Sequence, residues 1–189
     1  MALNWTPQIG DPTLGGWITV FAYVVCALVC GIHAFKVRQE KSPGSDKREK
    51  WFWIYLTLLM CFLSANKQLD LQSLFTEIGK ALAQQQGWYD NRRQVQLLFI
   101  AGVIIGSTGF IAIMTIVNWD LMNKLWLAVL GVALLLGFVF IRASSFHHFD
   151  DFIGWQVTGL RMNWIMEIGA ITLITLSALL NLRNKSISR

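Results

Sequence analysis

Charge is the scarcest material in this chain. Only 14% of its 189 residues are Asp, Glu, Lys or Arg, against about 25% in average soluble domains. A water-soluble domain of this length has too large a surface to be clothed by so few charges, so an ordinary soluble fold is excluded. Proline is almost missing, at 3 residues, and cysteine is equally sparse. Cys26, Cys30 and Cys61 all fall inside apolar stretches rather than polar loops, which excludes a disulfide framework and predicts buried free thiols. No basic region precedes the first apolar run, so that run is not expected to be a cleaved signal peptide. The abundant material is apolar: 54% hydrophobic residues, with 9 Trp and 12 Phe, and a mean hydropathy of +0.49. This is far too hydrophobic for disorder and predicts a polytopic membrane protein with the bilayer as its partner. The formal net charge of +5 lies in short segments between apolar runs. It therefore describes topology and not nucleic-acid binding, which would gather it on one polar face.

A spanning helix needs about 20 mainly apolar residues. The chain is expected to form a single all-α transmembrane domain over 1–189, with five transmembrane helices at about 14–35, 51–66, 94–117, 125–141 and 163–182. Between the second and third, Leu71, Leu74, Phe75, Ile78 and Leu82 recur at helical spacing opposite a polar face. This predicts an amphipathic extension over about 67–86. Lys36, Arg38, Lys41, Lys47, Arg48 and Lys50 crowd the first loop, and Lys124, Arg183, Lys185 and Arg189 share its side. By the positive-inside rule that side is cytoplasmic, with the N-terminus outside and the C-terminus inside. Tryptophans agree with these segment ends. Trp17, Trp88, Trp155 and Trp164 are expected at one interface, and Trp51, Trp53, Trp119 and Trp126 at the other. Gly102, Gly106 and Gly109, with Gly131 and Gly137 on the next helix, predict close helix packing.

Polar residues gather at the outer side in three sequence-distant segments. Ser64–Gln72 holds Asn66, Lys67 and Asp70. Arg142–Asp151 (R-A-S-S-F-H-H-F-D-D) holds Arg142, Ser145, His147, His148 and Asp150. Gly159–Glu167 holds Arg161, Asn163 and Glu167. Glu167 lies within a span, where an ionisable side chain is costly unless paired; Arg161, Arg142 and Lys67 are its expected partners, in an ion pair or in a proton or substrate role. Imidazoles bind transition metals, so His147, His148 and Asp150 are candidate ligands for a divalent metal such as zinc. Adjacent histidines share one ion only from a turn, because neighbours on a helix face apart. An interfacial hydrogen-bonded loop satisfies the same residues. Haem is not expected, since bis-His ligation needs imidazoles on opposite haem faces. His33, at the cytoplasmic end of the first helix, is expected to bond a carbonyl or a headgroup.

The segments N-K-Q-L-D-L-Q, G-W-Y-D-N-R-R, R-A-S-S-F-H-H and G-L-R-M-N-W resemble a group of uncharacterised bacterial multi-pass inner-membrane proteins. The resemblance runs from the second helix onward and implies a bacterial inner-membrane location without implying an activity. The alkaline-ceramidase-like hydrolases use three His, a Ser and an Asp around zinc, and this chain offers His33, His147, His148, Ser64 and Asp70. The expected topology places His33 on the far side of the bilayer from the other four, which argues against that chemistry. Three functions stay open. The first is a binding, assembly or accessory component with membrane-protein partners. The second is a metal-dependent enzyme acting on a lipid or lipid-linked substrate, with Asp70 or Glu167 as base. The third is a small transporter with Glu167 as coupling residue.

Overall fold

The computed structural model describes residues 9–38, 45–69, 71–87, 92–144, 156–157 and 160–187. The described chain is helical almost throughout. In order it forms α1 (Leu14–Arg38), α2 (Ser45–Leu69), α3 (Leu71–Gln85), α4 (Arg92–Val117), a short 3-10 turn (Trp119–Leu121) and α5 (Met122–Ser144). There follow a two-residue antiparallel pairing of β1 (Gln156–Val157) with β2 (Leu160–Arg161), and then α6 (Met162–Ile187). No described helix contains a proline, so none of them loses an interior hydrogen bond to a missing N–H.

Three helices are long and apolar enough to cross a membrane, over Leu14–Lys36, Trp119–Val139 and Met162–Arg183, and Ala101–Val117 is a shorter apolar stretch. That is the extent to which helix length and composition bear out five expected spans. α2 has the length, but Asp46–Lys50 and Lys67 flank its apolar stretch. It begins at Ser45, six residues before the expected start at Trp51, because Glu49 belongs to its buried face. The expected amphipathic extension is a separate helix, α3, beginning at Leu71. It ends at Gln85, and two residues on, Gly87, with a φ of +73°, supplies the left-handed conformation that glycine favours after helix ends.

The packing order is α2 against α1, α1 against α6, α6 against α5, and α5 against α4. Each helix contributes one stripe at 3.6-residue spacing. α1 gives Tyr23, Cys26, Cys30 and Ala34; α2 gives Trp53, Leu56, Met60 and Leu63; α5 gives Leu125, Ala128, Val132 and Leu135; α6 gives Ala170, Ile171, Ile174 and Ala178. The opposite faces carry large exposed apolar side chains, among them Phe21, Leu28, Ile105, Ile116 and Leu134. Contiguous apolar surface of this kind suits a lipid bilayer rather than water.

Lipid is as apolar as a helix surface, so association here rests on close contact and hydrogen bonds. At Gly131 a Cβ would lie 2.7 Å from the Ile174 side chain and 2.9 Å from the Ala170 carbonyl, so α5 and α6 meet backbone to backbone there. The other expected packing glycines behave differently. Nothing among the described residues lies within 4 Å of a Cβ placed on Gly102, Gly106, Gly109 or Gly137. α4 touches the bundle with another face, through Phe110, Ile111 and Met114. Two further expectations are corrected. Cys61 is exposed while Cys26 and Cys30 are buried, because Cys61 falls off the Leu56–Met60–Leu63 stripe. Trp53 is fully buried in the core rather than at an interface; it is one turn beyond Glu49 on the buried face, whereas its neighbour Trp51 points outward.

Candidate functional site

Among the described residues, the ionisable side chains buried inside the bundle form two centres, one toward each end of the α1–α2–α6 contact. The first is built on Glu167, one turn past Asn163 in α6. Glu167 is 3% exposed and Lys67, near the end of α2, is 4% exposed. Lys67 Nζ lies 2.8 Å from Glu167 Oε2, and Tyr23 of α1 donates its hydroxyl to Glu167 Oε1 at 2.9 Å. Three helices thus meet on one carboxylate. Both of its oxygens are engaged, so the group acts as a joint and is not presented as a free base.

The segment before α1 adds to this end. Thr13 caps α1 by accepting the Gly16 N–H at 3.2 Å, in the usual N-cap geometry. Asp11 accepts hydrogen bonds from the Thr13 hydroxyl and from the Thr13 N–H, and from Trp164 Nε1 of α6 at 3.3 Å. Trp164 lies so close to α1 that a Cβ on Gly15 would fall 2.3 Å from its ring. This indole is therefore a packing element as well as a member of the expected belt. The Gly10 N–H donates to the Gln68 carbonyl at 3.0 Å, which fastens the segment to the end of α2. Burial alone would raise the Asp11 carboxyl. The bonds from Thr13 and Trp164, with the Lys67 charge, outweigh it and hold Asp11 below the ordinary carboxylate value.

The second centre is at the other end. His33 of α1 and Glu49 of α2 are buried, with Nε2 and Oε1 2.9 Å apart. His33 Nδ1 lies 3.3 Å from the Ala178 carbonyl of α6, and the Trp53 ring packs on the imidazole with centroids 4.6 Å apart. The expected carbonyl partner of His33 is present; the carboxylate is an addition. Around this end, Arg48 bonds the Val117 carbonyl at 3.0 Å and pairs with Asp120. Asn181 donates to the carbonyls of Lys124 and Ser177, both at 2.9 Å. α2, α4, α5 and α6 are fastened together there by polar bonds that lipid cannot replace.

Of the residues singled out in the sequence, the structure joins Lys67 and Glu167. Asn66 is half-buried beside Lys67 in sequence, and Asn163 is half-buried with its side-chain oxygen unpartnered among the described residues. Arg142 lies in α5 and Arg161 pairs through its backbone with Gln156. Asp70, Ser145, His147, His148 and Asp150 lie outside the described residues. Among the described residues no three His, Cys, Asp or Glu side chains converge as metal ligands. Sequence reasoning missed Tyr23, Asp11 and above all Glu49. The signal for Glu49 was available. Glu49, Trp53, Leu56, Met60, Leu63 and Lys67 fall at i, i+4, i+7, i+11, i+14 and i+18, a single helical stripe with an ionisable residue at each end. No protein-family model, curated protein or solved structure matches this chain.

Proposed function

We propose that this chain is a five-span bundle of the bacterial inner membrane, N-terminus outside, that serves as a binding or assembly component of a larger membrane complex. One observation carries the reading. The buried ionisable side chains at both ends are spent on one another, while the large apolar surface is turned outward. Such a molecule offers partners its faces rather than a polar reaction chamber. α2 and α4 supply the two spans beyond the three most apolar helices. The interruption of α2 by charge is offset because Glu49 and Lys67 point into the bundle, not into lipid. Extraction in a mild detergent followed by native mass spectrometry tests the role. The expected species is larger than one 21.4 kDa chain; recovery as a monodisperse monomer at every detergent-to-protein ratio overturns it.

A second reading, a proton-coupled carrier, is supported by the titratable groups placed at both ends of one three-helix contact. It requires Glu167 to exchange its proton during transport. Unchanged proton flux in proteoliposomes carrying Glu167→Gln removes it.

A further inference from the structure

Beside the two centres, α1 and α2 border an open apolar trough of about 830 Å³ on their outward side, within the range of ligand-sized sites. It runs along α1 from Val20 to Lys36, sixteen residues or about 24 Å at 1.5 Å per residue. Small side chains lie along it, including Ala27, Ser64 and Ala65, and Gly31 contributes no side chain at all. Packing does not require glycine at 31. A Cβ there would meet Thr57 at 3.7 Å, an ordinary contact, unlike the collisions at Gly15 and Gly131. The missing side chain therefore leaves space rather than permitting a close helix approach. Among the residues that line the trough, Lys36 carries the sole charge. It is exposed at one mouth. At the other mouth Gln68 is tied by its carbonyl to the N-terminal segment.

An uncharged trough with one cation at one end complements an amphiphile with one anionic end. We infer that this is a binding site for an anionic phospholipid, its headgroup at Lys36 and an acyl chain lying between α1 and α2. The length agrees. Gly31 is five residues from Lys36 and faces Thr57, and Cys61 is four residues further along the antiparallel α2. Cys61 is therefore about 14 Å from the Lys36 level, close to the depth of one leaflet in a core about 30 Å thick. A chain anchored at Lys36 ends beside Cys61. The inference rests on the membrane placement of α1 and not on the assembly role, so the two experiments fail separately.

The full-length protein is released from bilayers of equal phosphatidylcholine and phosphatidylglycerol into a mild detergent, and the phospholipids that stay bound to each chain are identified by native mass spectrometry. Phosphatidylglycerol is expected to be retained about fivefold over phosphatidylcholine, the effect of one lysine–anionic-lipid contact at a membrane surface. Lys36→Gln abolishes that preference. Gly31→Leu, which fills the trough beside Thr57, lowers the retention of both lipids, and it decides the matter if Lys36→Gln fails to fold. Equal retention of the two lipids by the native chain overturns the inference, as does a preference that survives both substitutions. A dimer that carries no bound lipid overturns it too, and assigns the trough to a second copy.

Discussion

The two ends of the α1–α2–α6 contact solve one problem with different chemistry. At the Lys67 end an ammonium, a carboxylate and a phenol from three helices meet, and a second carboxylate, Asp11, lies close enough to feel the lysine. At the His33 end an imidazole lies between one carboxylate and one backbone carbonyl, against a tilted indole. The first centre depends on opposite charge. The second shares one imidazole between a carboxylate and the neutral Ala178 carbonyl, so part of its hold is a bond to an uncharged acceptor. Glu167 stripped of its partner Lys67 leaves a buried charge, whereas His33 keeps the Ala178 carbonyl whatever stands at position 49. The Lys67 end should therefore be the more brittle of the two.

The largest effect is expected from Lys67→Met. It strands the Glu167 carboxylate inside the bundle, at a cost of about 3–5 kcal/mol, measured by reversible unfolding in mixed detergent micelles. Lys67→Met combined with Glu167→Met removes the stranded charge and should recover most of that loss, because well-packed apolar replacements of buried pairs are commonly near neutral. The Tyr23 hydroxyl then loses its bond to Glu167 Oε1, which keeps recovery incomplete by about 1–2 kcal/mol. A double variant less stable than the single one would show that Glu167 contributes something other than its charge.

Glu49→Gln comes next and tests the other end. The amide keeps an oxygen within reach of His33 Nε2 and removes the charge assistance from that contact, so the expected loss there is about 1–2 kcal/mol. If this loss matches or exceeds that of Lys67→Met in the same assay, the ranking of the two ends is reversed. The charge on Glu49 would then dominate over the bond geometry.

How far the sequence disclosed this arrangement follows from the same contrast. The helices were legible because their apolar runs are long, and three of them satisfy the length and composition needed for a span. The Lys67–Glu167 pair was legible in part, because a carboxylate inside an apolar run demands a partner and Lys67 was one of few within reach. Glu49 was hidden by its surroundings. It stands in D-K-R-E-K, which reads as a solvated loop until α2 is extended back to Ser45 and its stripe is followed. Trp53 was misplaced for a related reason, since an indole near a helix end suits an interface as well as a core. Gly102 and Gly106 carry a packing signal that no described residue answers, because spacing identifies a smooth helix face without identifying what comes against it.

The smallest expected effect belongs to Asp11 and sharpens the comparison at the water-facing edge of the Lys67 end. Its carboxyl is held below the ordinary value by Thr13, Trp164 and the Lys67 charge, against the opposing effect of burial. A carboxyl whose value is lowered on folding contributes stability that is present above its unfolded value, near 3.9. That contribution is lost as pH falls through the lower folded value. Asp11 is only partly buried, so solvent screens the interaction and the contribution should stay below about 1 kcal/mol. Thermal unfolding followed from pH 5 down to pH 3 should show the native chain losing stability relative to Asp11→Asn, the two curves converging at the acid limit. Parallel curves over that range would mean that the N-terminal segment is held by the Gly10–Gln68 bond and the packing of Trp164 on Gly15. The Lys67 centre would then owe nothing to Asp11.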